Sequence, residues 1–216
     1  MKKIIFILFF AFVLPSNYSD KYFKSMDRAL DIFNTSETEQ DYIKASNYFY
    51  RISQAVQTDW ISSYYYALCN TRISIFQDDN DIKEIYLDKA FDIIAPFDSV
   101  ATDSLAYSEI HTLKALIYVA KIFINPMING MKYGPMSSRS IEKAIKFYSK
   151  NPRPYFLDGQ SKYYTPSAFG GGIDKAIPVL EKSLKYYDKF EAKPYWPNWG
   201  KEDCKFLYDK ALNEKE

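Results

Sequence analysis

The chain has 216 residues, with 28 Lys and Arg against 27 Asp and Glu, one histidine, two cysteines and 18% aromatic residues. Charges this evenly mixed give no clustered positive field for nucleic-acid phosphates. One histidine with two distant cysteines supplies neither a catalytic triad nor an ordinary zinc site, so the expectation is no nucleic-acid partner, no metal, no cofactor and no enzymatic activity.

At the N-terminus, Lys2 and Lys3 precede an unbroken apolar run over residues 4–14, then Pro15, Ser16 and polar sequence. This pattern reads as a secretory signal peptide over residues 1–19. The run is too short for a bilayer, which takes ~20 residues, and no cysteine follows it to carry a lipid anchor. The reading is a single exported domain, residues 20–216, periplasmic or extracellular, with no stable membrane span once the signal is cleaved. That length suffices for one real core.

From residue 20 the pattern is helical. All seven glycines lie beyond residue 129, and Pro96 and Pro126 alone interrupt residues 16–129. A first helix is predicted over residues 20–33, with Tyr22, Met26, Ala29, Leu30 and Phe33 on one face. A second starts near Thr38 and carries Tyr42, Ala45, Phe49, Ile52 and Val56. Asp59 is placed to cap the third, which includes Tyr64, Ala67, Leu68 and Ile75, and Asp81 the fourth, which ends before Pro96. The fifth opens at Thr102 or Asp103 and runs to about Phe123. The sixth is expected to begin among Ser137, Ser138 and Ser140, the seventh after Asn151, the eighth after Gly172 and the ninth after Gly200. This scheme leaves residues 125–140 and 163–172 as two long loops, and long loops in small domains tend to carry function.

Four helices share a block of acid, lysine, alanine and an apolar residue: Asp88 to Phe91, Glu142 to Ile145, Asp174 to Ile177 and Asp209 to Leu212. Hairpin pairing sets Ala29 with Ala45, Ala67 with Ala90, Ala115 with Ala144 and Gly159 with Ala176, each a small residue where two helices can approach closely. In these features the chain resembles the tetratricopeptide repeat superfamily, over roughly residues 20–213. The spacings between paired residues are uneven and the hairpins irregular. The resemblance implies an all-α fold: an irregular, TPR-like stack of antiparallel helical hairpins forming a right-handed α-solenoid, closed by a C-terminal capping helix. Asn151-Pro152-Arg153, residues 163–172 and Pro197-Asn198-Trp199-Gly200 resemble exported bacterial members, among them the periplasmic T-component associated with TRAP transporters. That narrower likeness implies a helper that binds a ligand or a binding protein and does no chemistry.

Candidate contact residues follow from the two loops. Gly170, Gly171 and Gly172 precede a helix whose backbone N–H groups could hold an anion, or they serve positive φ angles and close chain passage. Tyr163, Tyr164 and Phe169 present rings beside them. Met127, Met131 and Met136 pack back onto the repeat or form an adaptable apolar contact surface, with Cu(I) ligation a further alternative. Trp199 completes the set. Adjacent rings such as Tyr64-Tyr65-Tyr66 point about 100° apart on a helix, so one can enter the core while its neighbour lines a groove, and most of the rings are expected to fill gaps between the irregular hairpins. His111 reads as a packed helix histidine and Cys69, inside an apolar helical stretch, as a buried thiol, while its pairing with Cys204 stays open. The leading function is a non-enzymatic scaffold that binds a protein partner or an apolar small molecule, with homo-oligomers open. A transporter-associated ligand-binding subunit and a small glycan-capture protein are the alternatives.

Overall fold

The computed structural model describes residues 19–99 and 103–215, so the signal peptide expected over residues 1–19 lies outside it except for Ser19. Among the described residues there are nine α-helices and no strand. They are α1 (Asp20–Asn34), α2 (Glu39–Ala55), α3 (Trp60–Phe76), α4 (Asn80–Ile94), α5 (Ser104–Ile124), α6 (Pro126–Phe147), α7 (Pro152–Tyr164), α8 (Ile173–Tyr187) and α9 (Lys201–Asn213). Short 3-10 turns occupy Ala95–Ser99 and Ser167–Phe169.

Side-chain oxygens set most helix starts. Ser19, Thr38, Asp59, Asp79, Asp103, Asn125 and Asn151 each accept a backbone N–H of the first turn, and Thr38 with Asp41 completes a capping box. Asp79, not Asp81, caps α4. Asp81 instead lies in the first turn, where the helix dipole favours its charge. Gly172 and Gly200 precede α8 and α9 with φ of +105° and +94°, angles that suit glycine.

The expected loop over residues 125–140 is helical. Asn125 caps α6 from the Ile128 N–H at 3.3 Å, and Pro126 occupies the first turn, where its missing N–H removes nothing. Gly130, Gly134 and Pro135 then fall inside the helix, where glycine costs ~1 kcal/mol and proline ~3. Packing on α5 outweighs these penalties. Tyr133 stacks on Tyr118 at 6.0 Å, Asn129 donates to the Lys121 carbonyl at 2.8 Å, and Ser137 donates to the Ala115 carbonyl at 3.2 Å. Met127, Met131 and Met136 therefore lie on a helix and not in a binding loop.

Consecutive helices pack as four hairpins, α1 with α2 through α7 with α8, and α9 closes on α8. Ala29, Ala45, Ala67, Ala90, Ala115, Ala144 and Ala176 are fully buried. At Gly159 a Cβ would stand 2.6 Å from Leu180 Cδ2, so α7 and α8 approach closely there, with Leu180 rather than Ala176 as the neighbour on α8. Two apolar clusters result, one spanning α1 to α5 and one spanning α5 to α9, and Leu116 and Trp199 pack against both. Tyr64 and Tyr65 both enter the first, where Tyr65 stacks on Phe49 at 4.9 Å, so these adjacent rings fill the core and neither lines a groove.

Gly159→Val should lower stability by about 1–3 kcal/mol, the effect of forcing methyl groups into a filled contact. Chemical denaturation reads this directly, and an unchanged midpoint would mean that α7 and α8 can separate freely.

Candidate functional site

Helix α5 is apolar on two faces. Ala106, Ile110, Leu113 and Ile117 are buried and face the core. Leu116, Val119, Ala120 and Phe123 recur at helical spacing on another face, and all four line a cleft of about 390 Å³. Helix α3 forms the facing wall with Thr71, Arg72, Ser74 and Ile75, α4 adds Lys83 and Leu87, and α7 adds Gln160. A second hollow of about 190 Å³ shares Arg72, Leu116 and Gln160 with the first and continues past Phe156, Tyr164 and Trp199 to Asp203 and Phe206 of α9. Together they make one groove from α4 to α9.

Its walls expose apolar surface that a folded chain normally covers. Ile75 is 66% exposed, Phe123 63% and Phe206 72%, and large apolar side chains grouped around one concavity mark a binding site. In the larger cleft the charged lining groups are Arg72 and Lys83, both cations. Arg72 Nη2 reaches Asp203 Oδ2 at 3.5 Å across the groove, and Lys83 Nζ lies 3.4 Å from Asn80 Oδ1.

The groove's far end is fixed by a buried polar network. Arg153, at 0% exposure, donates to Glu109, also at 0%, at 2.8 Å and to the Pro197 carbonyl. Asn151 donates to the same carboxylate at 3.0 Å and Tyr64 at 3.4 Å, while Trp199 Nε1 donates to the Tyr64 hydroxyl at 2.8 Å. Burial pushes the Tyr64 phenol well above its ordinary range, which keeps its proton available. The Arg153 guanidinium also lies over the Phe190 and Trp199 rings. The extended segment between α8 and α9 is thus tied to α3, α5 and α7, and Trp199 is held against the groove floor.

Of the residues expected to make contacts, Tyr164 and Trp199 line this groove. Tyr163 turns to the end of α9, where its hydroxyl meets Glu214 at 2.6 Å. Gly170, Gly171 and Gly172 use their own N–H groups inside the turn that leads into α8. Their N–H groups donate to the carbonyls of Ser167, Pro166 and Lys162, and a Cβ at Gly171 would stand 2.0 Å from the Thr165 oxygen. They serve the turn. Phe169 is 82% exposed on that turn, and Met127 and Met131 are exposed on α6, none of them among the groove's lining residues. His111 stacks on Phe147 at 5.5 Å, and burial lowers its pKa. Cys69 and Cys204 are free and buried, with burial pushing the Cys204 thiol up to about 11. No group of three or more His, Cys, Asp or Glu suited to a metal occurs among the described residues.

Arg72, Lys83, Leu116, Gln160 and Phe206 carry no mark in the sequence reading, and Ile75 and Phe123 enter it only as helix positions, not as contacts. The available signal was the second apolar stripe on α5, Leu116, Val119, Ala120 and Phe123, which a single-face reading of that helix absorbs into the core.

An all-helical stack of hairpins with an open apolar groove is the class that fold and site define. No protein-family model matches the chain, and no curated protein does. Among solved structures it is similar to the HusA haemophore from Porphyromonas gingivalis, at 30% identity and a TM-score of 0.79, over 90% of this chain and 94% of the other. The chain belongs to the family of that protein.

Arg153→Ala should cost about 3–5 kcal/mol, because it leaves the Glu109 carboxylate buried without its counter-charge. Paired replacement by Arg153→Met and Glu109→Leu should recover most of that loss in a denaturant titration. A small effect of the single change would show that water reaches the network.

Proposed function

We propose that the protein is an exported, non-enzymatic carrier that binds a porphyrin, haem foremost, in the groove between α3, α5 and α7. The observation that carries this reading is an open cleft with apolar walls and two cations, in a chain that belongs to the family of a haemophore. A porphyrin is a flat apolar disc with carboxylates on one edge. Ile75, Leu116, Val119 and Phe123 offer it apolar surface, and Phe206 and Tyr164 extend that surface towards α9. A cleft of about 390 Å³ lies in the range of small-ligand sites, ~300–1,000 Å³.

The Lys2 and Lys3 plus apolar-run pattern supports export, where a carrier would meet its cargo. The packing of α3 on α5 and of α5 on α7 supports a groove shared by these three helices, as a tetratricopeptide-like stack would present. The same groove supports the small-molecule option over a protein partner, since its exposed rings line a recess and not a flat patch.

Adding haem to the mature chain should shift and sharpen the haem absorption band with saturation near one equivalent. Phe123→Asp, which places a charge on the apolar wall, should weaken binding at least about tenfold. Phe169→Ser, on the exposed turn outside the groove, should leave it unchanged. Equal binding by wild type and Phe123→Asp would refute the groove as the site.

A further inference from the structure

We propose that Arg72 is an exchangeable carboxylate anchor, held by Asp203 while the groove is empty and transferred to a carboxylate of the ligand when it fills. This rests on the porphyrin reading and adds how the site selects and seats its cargo.

Arg72 stands where the two hollows meet, so a ligand lying along the groove passes its guanidinium. Its contact with Asp203 runs through one nitrogen at 3.5 Å. A charge-assisted N–H···O bond is ordinarily about 2.7–2.9 Å, and a guanidinium fork prefers two parallel bonds to one carboxylate. The Arg72–Asp203 contact has neither property. Both side chains also keep access to water, at 32% and 57% exposure, and ion pairs in that setting are weak and screened. The pair is therefore poised to exchange, with donors left for a better-placed anion.

The exchange conserves the number of ion pairs. A ligand carboxylate takes the place of the Asp203 carboxylate, and Asp203, in the first turn of α9, stays favoured by the dipole of that helix after release. The cleft beyond Arg72 holds Lys83 and no acidic lining residue, so a second ligand carboxylate would meet a cation there too. An apolar body with two carboxylates matches this pattern, and a neutral body of the same shape does not.

The test titrates the mature chain with mesoporphyrin, which has two carboxylates, and with its dimethyl ester, following porphyrin fluorescence. Arg72→Gln should weaken the diacid about tenfold and leave the ester within about twofold. Asp203→Asn should tighten the diacid about threefold with no change for the ester, and the double variant should follow Arg72→Gln. Equal losses for acid and ester in Arg72→Gln, or no gain in Asp203→Asn, would overturn the anchor while leaving porphyrin binding intact. If Arg72→Gln does not fold, Arg72→Lys and Asp203→Asn decide the matter. Wild type that binds neither compound would overturn the porphyrin reading itself, and the anchor with it.

Discussion

Helix α5 has more apolar circumference than its neighbours cover, and the rest of the groove depends on that constraint. One stripe, through Ile110, Leu113 and Ile117, joins the first core cluster, and the face carrying Ala115 joins the second. The stripe through Leu116, Val119 and Phe123 instead lines the cleft, with α3 as the facing wall and Gln160 of α7 at its edge, and Phe123 stays largely open to water. Phe123 at 63% exposure is thus a standing unfavourable contact with water, worth on the order of 1.5–3 kcal/mol for a fully buried side chain of its size. A ligand that covers this stripe recovers part of that term.

The groove also has to hold its shape while open. Its α9 side hangs on the segment between α8 and α9, which has no helical hydrogen bonding of its own. The Arg153–Glu109 pair, with Asn151, Tyr64, the Pro197 carbonyl and Trp199, anchors that segment to three helices at once. Buried ion pairs add little stability against an apolar alternative of the same volume. Here the geometry assigns the pair to position: Arg153 reaches the strap, Glu109 reaches α3 and α7, and Trp199 becomes a wall of the site.

Much of the architecture was legible in the sequence because caps and small residues act locally. Asp59, Asn151, Gly172 and Gly200 mark helix starts where expected, and the alanines of the expected pairs are fully buried. The helix over residues 126–140 is hidden in the sequence because Gly130, Gly134 and Pro135 are poor helix formers, and no local pattern reveals that α5 supports them. The groove was harder to see. Its residues come from five helices, α3, α4, α5, α7 and α9, none of which supplies more than four side chains, and Arg72 and Asp203 are brought together from 131 positions apart. Tyr164 and Trp199 were singled out as rings flanking glycines, a local cue, whereas Ile75 and Phe123 look like ordinary core positions until the neighbouring helices are seen not to cover them.

The most direct measurement of the central claim is a backbone NMR map of the mature chain as a metal-free porphyrin is added. The groove account predicts that the largest shifts fall on Arg72, Ile75, Leu116, Phe123, Gln160 and Tyr164, with residues 167–172 and the exposed methionines of α6 left in place. Shifts concentrated on that turn or on Met127 and Met131, with α5 unmoved, would contradict it.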